Sequence, residues 1–505
     1  MRFNFLLIFA MLTLVNCSGF AEPIDNLEPA SFWREFFTVS SIYRPSKGEQ
    51  KIATHIVEEA EKSGFTSHID QSGNVLIKIP AKPGCEKITG VVLQSHLDMV
   101  CITRPGEKFN WGEDQIEQII KDGWLHAKKT TLGADNGVGV AVMLDFMKNL
   151  PERHGPVELL FTTDEEGDFS GVCGLQPGFI KGSILLNLDS EEAGEFNVGC
   201  AGGQADILEL ALNHEDCREL QAFKISFKNG QSGHSGVDVH RGRANAIKEL
   251  FKAIRYLGNE VKIRLASGEG GVTDTAIPGE AWVIICYNPD DQKTVERSIE
   301  KASQILKKRF AENDPEIMLN LEKVECPETA LNYAQTQKIC RIIDAVPSGI
   351  LAMSRKWPGN VQTSMNPGVF NLDRKIFRLI SHLQASSLEV IAMLSRRVKE
   401  IAMTNGADHL VGEPYRPWEP NQSQEFLDRA VALHQRLTGK KPVLKVVHAG
   451  VECGELKNIY PHLQMLSFGP DIRHAHTPDE KLSLVTINDF IGLVRALTME
   501  LPRVQ

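Results

Sequence analysis

The chain has 505 residues, of which 42% are apolar and 24% charged, and its formal net charge is −10. This is a globular composition, too long for one ordinary domain, and it excludes a disordered or fibrous chain. The negative balance argues against nucleic acid or an anionic membrane surface as the main partner.

The first residues, MRFNFLLIFAMLTLVNCSGFAEP, carry Arg2, an apolar run from Phe5 to Val15 and then small residues. That is the pattern of a secretory signal ending near Gly19-Phe20-Ala21. The run falls short of the roughly 20 apolar residues of a bilayer span. Residues 1–21 are therefore expected to be a signal peptide and the protein to be exported, periplasmic or secreted. A lipid anchor on Cys17 is disfavoured by Asn16 before it, and no later segment is apolar and long enough to span a membrane. The cysteines from Cys85 to Cys453 show no CxxC pair and no zinc-ribbon spacing. They read mostly as small buried apolar residues.

Helices and strands alternate next. EQKIATHIVEEAEKSG sets Ile52, Ile56, Val57 and Ala60 at helical spacing and stops at Gly64. NVLIKI, GVVLQSHLDMV, VELLFTTDEE and SILLNLDSEE read as strands, and GVGVAVMLDFMKNL between the second and third as a helix. Near-continuous apolar strands between helices predict an open, twisted α/β sheet covered on both faces. From about Gly203 the pattern changes. Helices ANAIKELFKAIRYL and TVERSIEKASQILKKRF interleave with strands AFKISFK and AWVIICY. A similar alternation recurs in AQTQKICRIIDAV, VFNL, KIFRLISHL and SLEVIAMLSRRVKEIA, which predicts two α+β units side by side. After Pro417 the α/β pattern returns in SQEFLDRAVALHQRLTG, LKVVHAGVE and HLQMLSFGP. The expected organisation is one α/β domain, 26–203 and 415–505, interrupted by a large α+β insertion, 204–414, with GEPYRPWEPNQ as the return crossing.

Charged residues gather where the apolar strands end. GVVLQSHLD ends in His96 and Asp98, VELLFTTDEE in Glu165 and Glu166, and SILLNLD in Asp189, while Asp135 stands among small residues in TTLGADNGVG. Singly, each has an ordinary explanation: Asp135 as a helix cap, Asp98 and Asp189 as turn residues, the paired glutamates as a solvated loop, His96 as an interior histidine. Together they point to one crevice, because ligands of open α/β sheets bind outside the carboxyl ends of the strands. Carboxylates crowded there raise one another's pKa, and a divalent cation removes that cost. Oxygen and imidazole donors without cysteine suit zinc, with cobalt or manganese as substitutes. Two ions roughly 3.5–4 Å apart need a bridging carboxylate and ligands on each side. GPDIRHAHTPDEKLSL adds His474 and His476.

At this point the chain resembles a known family. SHLDMV, TTLGADNGVGVA, TTDEEG, NLDSEE and HTPDE, in that order, look like the metal-site segments of the M20 di-zinc peptidases. CAGG, GHSGVDVHRGRANAIK, TSMNPGV and HAGVECG resemble the aminoacyl-histidine dipeptidase branch, and the likeness covers nearly the whole chain after residue 21. The resemblance implies a catalytic α/β domain holding two zinc ions, with the insertion as a lid. It implies that His96 and Asp189 hold one metal, Glu166 and His476 the other, and that Asp135 bridges them. Asp98 would orient the imidazole of His96, and Glu165 would be the general base toward the metal-activated water. His234 in GHSG would help polarise the scissile carbonyl, with Asn366 and Gly450 as further substrate contacts. Closure of the lid would expel water. The implied substrate is a dipeptide, Xaa-His or broader in range, and a homodimer is compatible with the likeness.

The chain departs from the family pattern in three places. Gly167-Asp168 stands where Thr-Gly is usual, Thr275 where Asn is common, and QASSLE replaces an Arg-Ser-Ser, which leaves substrate carboxylate anchoring unassigned. The rival readings are another M20 activity, an N-acyl amino-acid amidohydrolase or a tripeptide aminopeptidase, and a non-catalytic binding protein of the same fold. The long two-unit insertion favours the dipeptidase branch over the small-lid deacylases. The presence of Glu165 and every expected ligand speaks against the binding protein.

Overall fold

The computed structural model describes residues 26–502, so the expected signal segment and Cys17 lie outside the described residues. One sheet of eight strands runs in the order Thr66–Ile69, Val75–Ile79, Val157–Thr162, Val91–His96, Ile184–Asn187, Gln464–Ser467, Glu195–Cys200, Val443–Val447. The four strands from Val157–Thr162 to Gln464–Ser467 are parallel neighbours, so their carboxyl ends open on one side. His96 is level with Thr162, and Gln94 with Asn187. This register brings His96, Glu165, Glu166 and Asp189 to the same rim.

Val91–His96, Val157–Thr162 and Ile184–Asn187 are buried along their whole length because both faces are covered. Val91, Leu93, Leu159, Phe161 and Leu186 enter one core with the helices Ala30–Ser40, Gln50–Lys62, Ala134–Lys148, Gln424–Thr438 and Ile487–Glu500. The intervening Val92, Leu160 and Leu185 enter a second core with Leu456 of the helix Cys453–Ile459 and with Trp418. The period-two alternation therefore divides the side chains between two apolar layers.

A second, antiparallel sheet lies within 202–411 in the order Met318–Val324, Gln221–Lys228, Ala281–Tyr287, Arg264–Gly270, Val361–Leu372, Ile376–Ala385, Gly202–Ala211, Asp408–Val411, with Gly349–Met353 added beside Val361–Leu372. Helices Ala246–Gly258, Gln292–Arg309, Tyr333–Ala345 and Leu388–Asn405 pack on it through a separate core. The fold class expected from the sequence, an α/β sheet domain interrupted by an α+β domain, is the fold observed. The two predicted α+β units share one continuous sheet.

The chain leaves and re-enters the first sheet at a single point. Cys200 bridges Trp418, and Gly203 bridges Tyr415, so the outgoing and returning segments are bonded to each other. A Cβ on Gly202 would come within 2.6 Å of Pro417, and one on Gly203 within 2.2 Å of the Tyr415 hydroxyl. The glycines of CAGG are required by this close crossing. No helix among the described residues is long and apolar enough to cross a membrane.

Candidate active site

His96 closes its strand with the side chain 1% exposed. Its Nδ1 lies 3.1 Å from the Asp98 main-chain oxygen and 3.4 Å from the Asp98 carboxylate. An Nδ1–H donated there leaves the Nε2 lone pair free to bind. That Nε2 is 3.1 Å from Asp135 Oδ1 and 3.3 Å from Asp189 Oδ1. On the other side, His476 Nε2 is 3.1 Å from Asp135 Oδ2 and 2.8 Å from Glu166 Oε1. Asp135 thus turns one carboxylate oxygen toward each histidine.

The rim is fixed by further contacts of Asp98 and by two residues that the sequence did not single out, Ser46 and Arg44. The Asp98 carboxylate accepts from the Glu165 and Glu166 amides, each at 3.1 Å, and from Ser46 Oγ at 2.7 Å. It therefore ties two strand ends together in addition to meeting His96. Burial disfavours its charge, but His96, Ser46 and the Glu165 amide outweigh that and hold its pKa at about 2. Fully buried Arg44 donates to the Leu97 and Asp98 carbonyls at 2.8 Å and to Gly133 O at 2.6 Å, which ties the His96 loop to the Asp135 loop.

The start of the helix Ala134–Lys148 is unusual. Asp135 and Asn136 have non-helical backbone angles, so Asp135 is not a simple cap. The amides of Leu132, Gly133, Ala134 and Asp135 converge on the Glu480 carboxylate at 2.7–3.2 Å. Glu480 is the last residue of HTPDE, and its job is to hold the Asp135 loop. Glu480→Gln puts an N–H where those amides need an acceptor. It is expected to cost about 10–100-fold in metal affinity, read by metal titration of the variant. Unchanged affinity would show that the loop holds without it.

The turn after Glu166 departs from the family pattern for a local reason. Asp164 has φ +58° and its side chain is buried. Its carboxylate takes a hydrogen bond from Ser170 Oγ, and its amide donates to Glu49 at 2.9 Å. A Cβ on Gly167 would come within 2.2 Å of Asp164 Oδ1. Asp168 reaches Lys47 Nζ at 3.1 Å. Gly167-Asp168 therefore forms an anchored turn, with Glu165 and Glu166 still on the Asp98 carboxylate.

The donors fit divalent metal ions. His96, Asp135 and Asp189 offer ligand atoms within 4.8 Å of one another, as do Asp135, Glu166 and His476, and the two sets share Asp135. Glu166 Oε1 is buried without a hydrogen bond although His476 Nε2 is close, as expected of two lone pairs aimed at one ion. Imidazole and carboxylate donors without sulfur suit zinc, cobalt or manganese. Burial, then Asp189, Glu166 and Glu452, push the Glu165 carboxyl well above the usual range, and His96 opposes them. Burial works against a charged His476, yet Asp135 and Glu166 outweigh it and raise its pKa far above that of free imidazole. A metal ligand must be neutral imidazole, so a metal displaces that proton, and affinity rises with pH. The expected rise is about tenfold per pH unit for each proton released, measured by titration at pH 6, 7 and 8. A flat profile would contradict ligation by His476.

The second sheet meets this rim through the GHSG loop. His234 Nδ1 accepts from the Gly236 and Val237 amides at 3.0 Å, so its neutral ring carries the proton on Nε2 as a donor. The ring is solvent-accessible but surrounded by protein on a wider scale, as in a cleft. That desolvation, then the charges of His382 and His476, pushes its pKa down to about 4. A Cβ on Gly236 would come within 2.0 Å of His448 O and 2.6 Å of Gln384, so the loop is pressed onto the 448–450 segment. Ser364 and His448 Nε2 are 2.8 Å apart across the same junction. Gly450 lies against the Tyr415 ring.

In QASSLE, the stretch without the family's arginine, Gln384 is 1% exposed, with Nε2 3.3 Å from the Tyr415 hydroxyl and Oε1 buried without a partner. Asn366 is committed internally: it donates to Asp274 O at 2.8 Å and Ala276 O at 2.7 Å and accepts from Asn245 at 3.0 Å. It lines a cavity with Ser235, Asn245 and Lys248 that contains none of His96, Asp135, Glu166, Asp189 and His476. The structure thus brings together His96, Asp98, Asp135, Glu165, Glu166, Asp189 and His476. It sets His234 and Gly450 at the junction beside them, and Asn366 apart.

The family model described as peptidase family M20/M25/M40 matches residues 92–500. The cytosol non-specific dipeptidase of Escherichia coli is 34% identical over 483 residues, 95% of this chain and 99% of that one. The crystal structure of the aminoacylhistidine dipeptidase from Vibrio alginolyticus superposes with a TM-score of 0.80 at 34% identity, covering 94% of this chain and 98% of that one. A tripeptidase from Staphylococcus aureus shares the fold, with a TM-score of 0.54 at 14% identity and coverage of 94% and 99%. The expectation of export is corrected by these likenesses: the relative matched over 95% of the chain is named a cytosol enzyme.

Proposed function

This chain belongs to peptidase family M20/M25/M40, and we propose that it is a dipeptidase working with two divalent metal ions, zinc first among them. The observation that carries the reading is Asp135 shared between two donor sets, His96 with Asp189 and His476 with Glu166. The domain of the first sheet is the catalytic one, 26–203 with 415–505, and 204–414 is the lid. Metal ions held there supply Lewis acidity, polarising a carbonyl and acidifying water. Glu165 takes a proton from the attacking water and returns it to the nitrogen of the leaving amine. Asp98 holds the His96 ring and the Glu165-Glu166 turn in place.

His234 donates its Nε2–H to the scissile carbonyl as negative charge develops there. Its two amide donors at Nδ1 keep that tautomer. His234→Ala is expected to lower kcat by about 10²–10³-fold with metal content unchanged. A variant of full activity would remove His234 from the reaction.

The likeness at 34% identity to two proteins named as dipeptidases supports this substrate class over N-acyl amino acids or tripeptides. The test is a panel of dipeptides, including Xaa-His and β-alanyl-His, beside tripeptides and N-acyl amino acids. Dipeptides are expected to be cleaved with the highest kcat/KM. Preference for either other class would refute the dipeptidase reading and leave the family membership standing.

A further inference from the structure

Three cysteines in the lid meet without any role in peptide hydrolysis. Cys286 lies in the strand Ala281–Tyr287, opposite Ala222. Cys217 follows the strand His214–Asp216, and Cys326 precedes the strand Thr329–Leu331, which pairs with it. The Cys217 amide bonds to Glu328 O at 3.0 Å, which closes this strand pair. Cys326 Sγ is 4.0 Å from Cys217 Sγ and 3.9 Å from Cys286 Sγ, and all three sulfurs lie within 4.8 Å of one another.

We propose that Cys217, Cys286 and Cys326 form a three-thiolate site for a thiophilic divalent cation of the zinc class, separate from the peptidase centre. The spacing fits this. Three sulfurs around one ion at the usual Zn–S length of about 2.3 Å stand roughly 3.8–4.0 Å apart, whether the arrangement is tetrahedral or trigonal. The two sulfur edges above match it. The Cys217 thiol donates to Pro327 O at 2.8 Å and the Cys326 thiol to Cys217 O at 3.2 Å, which holds these two segments together beside Cys286. Ala222, Ala266 and Ala330 share the small buried cluster with Cys217 and Cys286.

Charge selects the ion. Binding releases three thiol protons to solvent, and three thiolates with a divalent cation leave one net negative charge. Arg264 stands ready to balance it, bonded to the Glu215, Asp216, Ala330 and Leu331 carbonyls on both members of the strand pair. A monovalent ion would leave two negative charges in a largely apolar setting. Cys326 is half-buried, so the fourth position opens on its side to water.

The peptidase donors contain no sulfur, which gives the test its selectivity. The full chain, purified with reductant, is titrated with Co(II) and followed by near-ultraviolet absorption. A thiolate-to-cobalt charge-transfer band is expected to grow to one equivalent in the wild type and to vanish in Cys286→Ser. Dipeptide hydrolysis should persist in Cys326→Ser. No band in the wild type, or an unchanged band in both variants, overturns the proposal. Should Cys286→Ser not fold, the wild type decides: Cd(II) is expected to shield Cys326 from alkylation at least tenfold, and an unaltered rate overturns the site. A Cys217–Cys326 disulfide in the freshly purified chain would also overturn it.

Discussion

Glu165→Gln is expected to lower kcat on a good dipeptide substrate by about 10²–10⁴-fold and to leave metal binding intact. The amide keeps the size and shape of the side chain and loses only its ability to accept a proton. The turn is held through main-chain amides on Asp98, at 3.1 Å from both Glu165 and Glu166, so the exchange does not release it. The five proposed ligands are untouched. Metal analysis and steady-state kinetics on one preparation separate the two quantities. A variant with normal metal content and normal kcat would place the base elsewhere, and Glu452 is the nearest candidate. It is buried beneath the rim, accepts from Gln94 at 2.6 Å and Thr162 at 2.7 Å, and burial first raises its pKa to about 8.

Asp135→Asn should reduce metal content as well as rate. Asp135 Oδ1 faces His96 and Oδ2 faces His476, each at 3.1 Å. An amide offers one oxygen and turns an N–H toward the other histidine, so one donor set loses a ligand and its negative charge. Loss of one ion removes several kcal/mol of transition-state stabilisation, or about 10³-fold or more in kcat/KM. Elemental analysis should show about one ion fewer per chain, and excess zinc should restore little activity. Full occupancy with full activity would mean that Asp135 does not bridge.

The metal-type donors were legible because parallel strands share a direction. Once GVVLQSHLD, VELLFTTDEE and SILLNLD read as neighbouring strands, their polar ends had to emerge at one rim, and the observed register sets His96 level with Thr162. Residues that act on the rim from elsewhere in the chain left no such mark. Arg44 lies in IYRPS, which matches no motif, yet it is fully buried and spans two loops. Glu480 was visible within HTPDE, but four amides converging on one carboxylate is a tertiary fact. Asn366 shows the opposite case: its motif suggested a substrate contact, and folding spends its amide on Asp274, Ala276 and Asn245.

Among the elements, the amphipathic helices were plain from their periodicity. The helix Ala30–Ser40 was missed because its aromatic run, FWREFF, lacks a capping side chain. The short strand Glu195–Cys200 was missed because EFNVGC holds too few apolar residues for either period. The three cysteines of the lid lie 69 and 40 residues apart, so no local motif could reveal them.

The most direct measurement is a zinc titration of the chelator-treated full chain while hydrolysis of an Xaa-His dipeptide is followed. The account expects no turnover at first and a rise that is complete once about two ions per chain occupy the His and carboxylate donors, with Glu165→Gln binding the same ions and remaining nearly inactive. Full turnover by the chelated chain, or a zinc-loaded chain that leaves every dipeptide intact, would contradict it.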